Sequence, residues 1–183
     1  MYYKKSNLVG LRTFSKNDFE LYSIILDDEQ TTKYMEMGDR PTSEKILDNT
    51  YKEANFDDNS VVFSVDCLEN KKFIGTTGLY LINWVARRAQ FRVLIGGEKN
   101  IQNKGYGTEI TKLIVEYGFK RLNLELIYLG VNEKNIAAIK VYKKAGFIEE
   151  GKIRKFVYNN GIYYDSINMS ITKEDFQNSK IYK

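Results

Sequence analysis

Apolar and polar residues along this chain follow two periods, one typical of strands and one typical of helices. Alternating and β-branched residues predict a short strand at Val9–Arg12 and three further strands at Val61–Leu68, Phe73–Leu81 and Arg88–Ile95. A polar turn at 69–72 joins Val61–Leu68 to Phe73–Leu81 as a hairpin. We therefore expect the three longer strands to be antiparallel neighbours.

Other segments have apolar residues three and four positions apart, as on one buried face of a helix. They predict helices from Phe19 to Leu26, from Thr42 or Ser43 to Phe56, from Tyr106 to Leu122 and from Asn135 to Ala145. The segment between the first two helices is polar and acidic.

Leu126–Val131 is apolar at almost every position, which is typical of a central strand buried on both faces. Phe147 begins another strand, and Asn160-Gly161 is the turn of a late hairpin. We expect the strand Ser166–Ile171 to end the ordered part. This order of elements predicts one domain over residues 1–183, with an α+β fold layered around a single sheet.

The composition narrows the classes of function. The net charge is +4, and Lys and Arg are dispersed, which disfavours nucleic-acid binding. No run is long enough to span a membrane, and the first residues lack the apolar segment of a signal peptide. Cys67 is the single cysteine, which fits a reduced, cytoplasmic setting and leaves no internal disulfide.

The chain has no histidine, which excludes histidine triads, histidine metal sites and a histidine base. No metal is therefore expected, and any proton transfer must use Tyr, Asp, Glu, Lys, Cys67 or water.

A glycine-rich loop, Gln102-Asn-Lys-Gly105-Tyr-Gly107, lies between a predicted strand and a predicted helix. Backbone N–H groups at such a helix N-terminus bind phosphate or pyrophosphate, and glycine lets the backbone approach a bulky anion. The spacing by itself is also compatible with a simple turn.

The second motif contains Asn132, Asn135, Ala138, Tyr142 and Gly146-Phe147. With the loop before it, this Asn-x-x-Asn-x-x-Ala-x-x-x-Tyr-x-x-x-Gly-Phe pattern resembles the GNAT superfamily of acetyl-CoA-dependent N-acetyltransferases. Further similarity, from about residue 9 to 172, is to the RimJ/RimL-type branch and to the bacterial spermidine/spermine N-acetyltransferases within it.

The resemblance implies a mixed, mostly antiparallel sheet flanked by helices, with a splayed pair of parallel strands at its centre. Those strands would be Arg88–Ile95 and Leu126–Val131, and the gap between them would admit the pantetheine arm of acetyl-CoA, the acyl donor. A neutral amine would attack the thioester directly. The N–H of Leu94 would polarise the carbonyl, and Tyr142 would act as general acid toward the departing thiolate.

The cofactor contacts implied by the family lie on the first strand of the pair, the loop and the following helices. They are Leu94, Ile95, Gln102, Asn103, Lys104, Gly105, Tyr106, Gly107, Thr108, Asn135 and Tyr142. Tyr142 is also compatible with a core position, and Asn135 with a helix cap.

Candidates for binding the amine are Glu36, Asp39, Glu44 and Trp84, although the acidic residues also fit a solvated loop. The polyamine enzymes carry carboxylates where this chain has Gly78, Leu81 and Gln90. The acceptor, a small-molecule amine, therefore stays open between a polyamine and an amino sugar. A protein N-terminus, an amino acid or a non-catalytic CoA-binding module are the alternatives. Dimers are common in this branch, which makes the late hairpin a candidate contact in a homo-oligomer.

Overall fold

The computed structural model describes residues 1–35, 41–96 and 104–182. The strands are β1 (Lys4–Lys5), β2 (Val9–Thr13), β3 (Val61–Cys67), β4 (Phe73–Asn83), β5 (Arg88–Ile95), β6 (Leu126–Asn132), β7 (Ile148–Asn159) and β8 (Ile162–Thr172). The helices are α1 (Phe19–Asp27), α2 (Glu29–Thr32), α3 (Glu44–Asn55), α4 (Tyr106–Lys120), α5 (Ile136–Lys144) and α6 (Lys173–Asn178).

The strands form one sheet in the order β1-β2-β3-β4-β5-β6-β8-β7. Every described neighbour pair is antiparallel except β5 and β6, which are parallel. The predicted α+β class, the mostly antiparallel sheet and the parallel pair at its centre are all confirmed.

Two apolar clusters cover the two faces of the sheet. On one face, α4 and α5 pack on the inward residues of β4, β5 and β6, with Ile110, Ile114 and Ile127 fully buried. On the other face, α1 and α3 cover Phe14, Phe73 and Leu94. The sheet therefore separates a side covered by α4 and α5 from a side covered by α1 and α3.

The structure corrects the sequence prediction at the C-terminal end. The strand predicted at Ser166–Ile171 belongs to the longer β8, and the order continues into α6 instead of ending there. Thr172 caps α6, accepting a hydrogen bond from the Asp175 N–H, and Phe176 packs on Phe119 with ring centroids 5.1 Å apart. The sequence does not predict the short α6, because a single buried aromatic residue does not produce a helical pattern of apolar positions.

The connection after α1 also differs from the prediction. It contains α2, a single helical turn capped by Asp28, whose side chain accepts from the Thr31 N–H. No helix within the described residues is long and apolar enough to cross a membrane.

Candidate active site

The parallel strands β5 and β6 separate soon after they meet. Their pairing runs from Arg88–Leu126 to Gln90–Tyr128 and then stops. Beyond that point β5 continues along β4 to Ile95, while β6 continues along β8 to Asn132. A wedge therefore opens in the middle of the sheet, where β5 beyond Gln90 stays paired with β4 but is no longer paired with β6.

Ladder geometry decides which backbone groups of β5 face this wedge. Gly96 donates to Ile74 O at 3.0 Å, and the pairing of Leu94 with Thr76 lies two residues along the same antiparallel ladder. Hydrogen-bonded pairs recur every second residue, so the Leu94 N–H points toward β4. The N–H groups of Val93 and Ile95 point to the other side, into the wedge.

The described part of the glycine-rich loop leads directly into α4. Gly105 is the N-cap residue with φ of 86°, a left-handed conformation that favours glycine. Glu109 is the first residue whose N–H donates within the helix, to Gly105 O at 3.1 Å. The N–H groups of Tyr106, Gly107 and Thr108 precede it at the positive end of the helix dipole.

Gly107 brings the start of α4 close to the other parts of the site. A Cβ built at this position would lie 3.6 Å from a methyl of Val141 in α5 and 3.9 Å from Ile95 at the end of β5. The helix N-terminus, the wedge and the Tyr142 helix therefore converge. Lys104 is exposed beside this start, and Gln102 and Asn103 lie outside the described residues.

The side chain of Tyr106 faces the core instead of the loop. It is 5% exposed, and its hydroxyl lies 3.2 Å from the Sγ of Cys67 on β3. Of this residue, only the backbone is placed to contact an anion at the helix start.

Asn135 caps α5, because its Oδ1 accepts a hydrogen bond of 3.1 Å from the Ala138 N–H. The neighbouring Asn132 ends β6. Its Oδ1 accepts from the Lys134 N–H, whereas its buried Nδ2 has no hydrogen-bond partner within the described residues.

Tyr142 lies on α5 behind the wedge. Its ring packs edge-on against Phe91 of β5 and tilted against Phe147, with ring centroids 6.0 Å apart in both pairs. Burial raises the pKa of its hydroxyl to about 12. The hydroxyl is therefore protonated at neutral pH, and no hydrogen bond to it is formed within the described residues.

On the opposite side of the sheet, β5 displays the polar side chains of Gln90 and Arg92, of which Arg92 was not predicted as a site residue from the sequence. Arg92 extends over the ring of Tyr80, 4.6 Å from its centroid, and Gln90 accepts two hydrogen bonds from Arg92. Glu53 of α3 is close enough for its charge to interact with Arg92. Burial raises the pKa of the Glu53 carboxyl, although Arg92 opposes that shift.

Of the four residues predicted to bind the amine, the structure describes two, and these two are not gathered here. Glu36 and Asp39 lie outside the described residues. Glu44 is exposed in the first turn of α3. Trp84 lies in the β4–β5 turn, where its ring N–H donates to Asp58 O at 3.1 Å, at the closed end of the wedge.

Two of the positions that differ from the polyamine enzymes have structural explanations. A Cβ on Gly78 would lie 2.3 Å from Val61 O, so the spacing of β3 and β4 requires glycine. Leu81 is 60% exposed at a register shift of β4, with φ of 52°. Gly78 and Leu81 therefore do not represent the simple loss of a carboxylate from a cleft that is otherwise the same as in the polyamine enzymes.

This fold and site place the chain in a known family. Residues 9–148 match the acetyltransferase (GNAT) domain family. The spermidine N(1)-acetyltransferase of Escherichia coli (strain K12) is 37% identical over 130 residues, which cover 71% of this chain and 68% of that protein. The probable N-acetyltransferase YjcK of Bacillus subtilis (strain 168) is 32% identical over 169 residues, 91% of this chain and 87% of that protein.

A solved structure gives the same result. The crystal structure of spermidine N-acetyltransferase from Vibrio cholerae in complex with CoA and spermine superposes with a TM-score of 0.84 and 27% identity, covering 94% of this chain and 100% of that chain. The chain belongs to the GNAT acetyltransferase family. The predictions of an N-acetyltransferase and of acetyl-CoA as its acyl donor are confirmed.

Proposed function

We propose that this chain transfers the acetyl group of acetyl-CoA to a primary amine of a polyamine by direct attack. The wedge between β5 and β6 carries the proposal, because it has backbone donors on one edge and the Tyr142 helix behind it. The polyamine follows from the relatives, since two similar proteins are spermidine N-acetyltransferases and one was solved with CoA and spermine.

In this proposal the backbone of β5 holds the reacting thioester. We move the carbonyl-polarising donor from Leu94 to Val93, and assign the N–H of Ile95 to the pantetheine arm, because the ladder directs these two groups into the wedge. Such donors stabilise the oxyanion of a tetrahedral intermediate. The side chain of Leu94 is buried beneath α1 and serves packing.

The pyrophosphate is assigned to the start of α4, where the backbone of Gly105 to Thr108 meets the loop. Gln102, Asn103 and Lys104 are assigned to the same anion. Asn135 keeps its cap and offers its amide nitrogen to the cofactor arm.

Tyr142 is assigned as the general acid. As the C–S bond breaks, the thiolate takes the hydroxyl proton of Tyr142, which is re-protonated from solvent. The amine reaches the carbonyl from the side of α1 and α3. Its proton leaves to water or to a carboxylate, with Glu36, Asp39 and Glu44 as candidates and Trp84 at the outer rim.

A thiol-release assay tests the proposed function. The chain is supplied with acetyl-CoA and, separately, spermidine, an amino sugar, amino acids and a peptide with a free N-terminus. We expect CoA release with spermidine, and the acetylated amine in mass spectrometry. CoA binding without release for any amine would instead identify a non-catalytic CoA-binding module.

We also infer that copies of this chain associate through the β7–β8 hairpin. β7 is the edge of the sheet, with one unpaired backbone side. The hairpin exposes Phe156, Tyr158, Ile162 and Tyr163, each more than half exposed. An apolar sheet edge of this kind is satisfied by a second copy of the same strand.

A further inference from the structure

Three polar side chains extend from β5 on the side of α1 and α3. Arg88, Gln90 and Arg92 alternate with Ala89 and Phe91, which are buried in the opposite core. This alternation of a strand places all three on one face.

Arg92 is held in place by a neighbouring amide and an aromatic ring. Gln90 Oε1 accepts from Arg92 Nε at 3.0 Å and from Nη2 at 2.7 Å, and the ring of Tyr80 supports the guanidinium from below. No carboxylate within the described residues forms an ion pair with it, whereas Arg87 pairs with Glu125 at 2.9 Å. The guanidinium is therefore a fixed charge on an exposed side chain.

The fixed charge lies close to the proposed point of attack. Arg92 precedes Val93, whose N–H faces the wedge, and Phe91 on its other side contacts Tyr142. The next side chain on the same face, Leu94, is buried beneath α1. An amine entering from this side therefore passes the guanidinium before it reaches the thioester.

A second arginine extends the positive strip. Arg88 lies over the ring of Tyr128, 5.8 Å from its centroid, and likewise has no carboxylate partner within the described residues. Facing this strip, Glu53 supplies one carboxylate from α3. The strip is thus suited to a ligand that carries a negative group near its amine.

We infer that the cleft accepts, beside polyamines, primary amines that carry a carboxylate, which Arg92 binds while the amine attacks. The planar guanidinium presents parallel donors that match a carboxylate, and a nearby cation disfavours the ammonium form of the amine. The inference rests on the proposed function.

The bonds formed and broken are the same as in the proposed polyamine reaction. The neutral amine nitrogen forms a bond to the acetyl carbonyl carbon, the C–S bond breaks, and CoA leaves. Solvent water takes the amine proton, and Tyr142 protonates the thiolate.

Three acceptors of equal chain length test the inference: 1,4-diaminobutane, n-butylamine and 4-aminobutyrate, with cationic, uncharged and anionic tails. The measurement is kcat/KM for each, in wild type, R92Q and the matched control R87Q. We expect wild type to acetylate 4-aminobutyrate. In R92Q, the ratio of kcat/KM for 4-aminobutyrate over 1,4-diaminobutane falls by about tenfold, the size of one lost hydrogen bond to a charged group.

The control separates this effect from general damage to the cleft. R87Q removes an arginine that is already paired with Glu125, so its ratio should equal that of wild type. An equal fall in R87Q, or an unchanged ratio in R92Q, overturns the role of Arg92. Turnover of 1,4-diaminobutane without any turnover of 4-aminobutyrate contradicts the inference alone, whereas no turnover with any amine, spermidine included, contradicts the proposed function itself.

Discussion

At the scale of single residues, the proposed general acid is a hydroxyl whose surroundings are apolar. Phe91 and Phe147 pack on the Tyr142 ring, and burial raises the pKa of its hydroxyl to about 12. A raised pKa extends the protonated form to higher pH, so this acid stays intact across the physiological range.

We expect Tyr142→Phe to lower kcat by about a hundredfold or more, since general acid catalysis contributes at least this factor. Phe keeps the ring contacts, so CoA affinity measured by calorimetry should stay within about twofold of wild type. Retained turnover in this variant would show that a group other than Tyr142 is the general acid. The wild-type pH profile should likewise show no loss attributable to Tyr142 below about pH 11.

At the scale of secondary-structure elements, the site is assembled where a helix start meets a strand gap. The N-terminus of α4 lies beside the open end of β5, and Gly107 makes this approach close. Gly107 thus has a role in bringing the parts of the site together, apart from any role in the local turn.

Gly107→Ala separates the ligand role of this position from its structural role. The added methyl would lie 3.6 Å from Val141, an ordinary contact, and alanine favours a helix. We expect unchanged or higher stability in thermal unfolding, together with CoA affinity lower by about tenfold, because the methyl occupies the path of the phosphate.

For Gly118→Ala, on the same helix, we expect the opposite result for both stability and CoA affinity. Its methyl would lie 2.7 Å from Ile127 Cδ1, so stability should fall while CoA affinity of the folded protein is kept. If Gly107→Ala bound CoA like wild type, the pyrophosphate would not lie on this turn.

An ion network joins the elements at the other end of the sheet. Arg12 of β2 bonds Asp18 at 2.6 Å and Asp66 of β3 at 2.8 Å, and Ser64 donates to Asp18. Burial alone would raise the pKa of the Asp18 carboxyl, but the hydrogen bonds from Arg12, the Ser15 backbone and Ser64 hold it below its usual value. Arg12 and Asp18 therefore serve the fold.

Arg12→Met should lower the free energy of unfolding by about 3–5 kcal/mol at pH 7, because it leaves two buried carboxylates without a cation. A depressed carboxyl pKa contributes stability that is lost as pH falls through it, so the difference from wild type should narrow near pH 4. Urea unfolding at both pH values measures this. A constant difference would mean that lost packing, not charge, is the cause.

At the scale of the whole molecule, the sheet has a well-covered centre, and β7 at one of its edges is largely exposed. The helices cover both faces around β4 and β5, whereas the β7–β8 hairpin projects with aromatic residues exposed. Asn159 near its tip donates to Lys33 O at 2.9 Å, which links the hairpin to the segment after α2.

The inferred association predicts a concentration-dependent oligomer of wild type in light scattering. Phe156→Asp with Tyr163→Asp should shift the protein toward the monomer, since charges on an edge strand oppose pairing. Tyr3→Asp, a partly exposed aromatic residue outside the hairpin, is the control. An unchanged mass for the double variant would exclude this hairpin as the contact.

The sequence by itself determined the class, most of the element order and the position of the glycine-rich loop. Apolar periods and glycine positions act locally, so β3, β4, β5, α4 and α5 followed from them, and the two motifs identified the family. Local patterns do not show how β4 and β5 pair, and this pairing directs the N–H of Leu94 toward β4 and the N–H of Val93 toward the wedge. They also do not show that the side chain of Tyr106 points into the core.

Only the tertiary structure decided which side chains surround the proposed acceptor side. The pairing of β4 with β5 places Tyr80 beside Gln90, and α3 brings Glu53 near Arg92, although these residues are far apart in sequence. The charge of Arg92 beside the proposed reaction point is held by contacts between elements. The apolar period within one element does not predict such contacts.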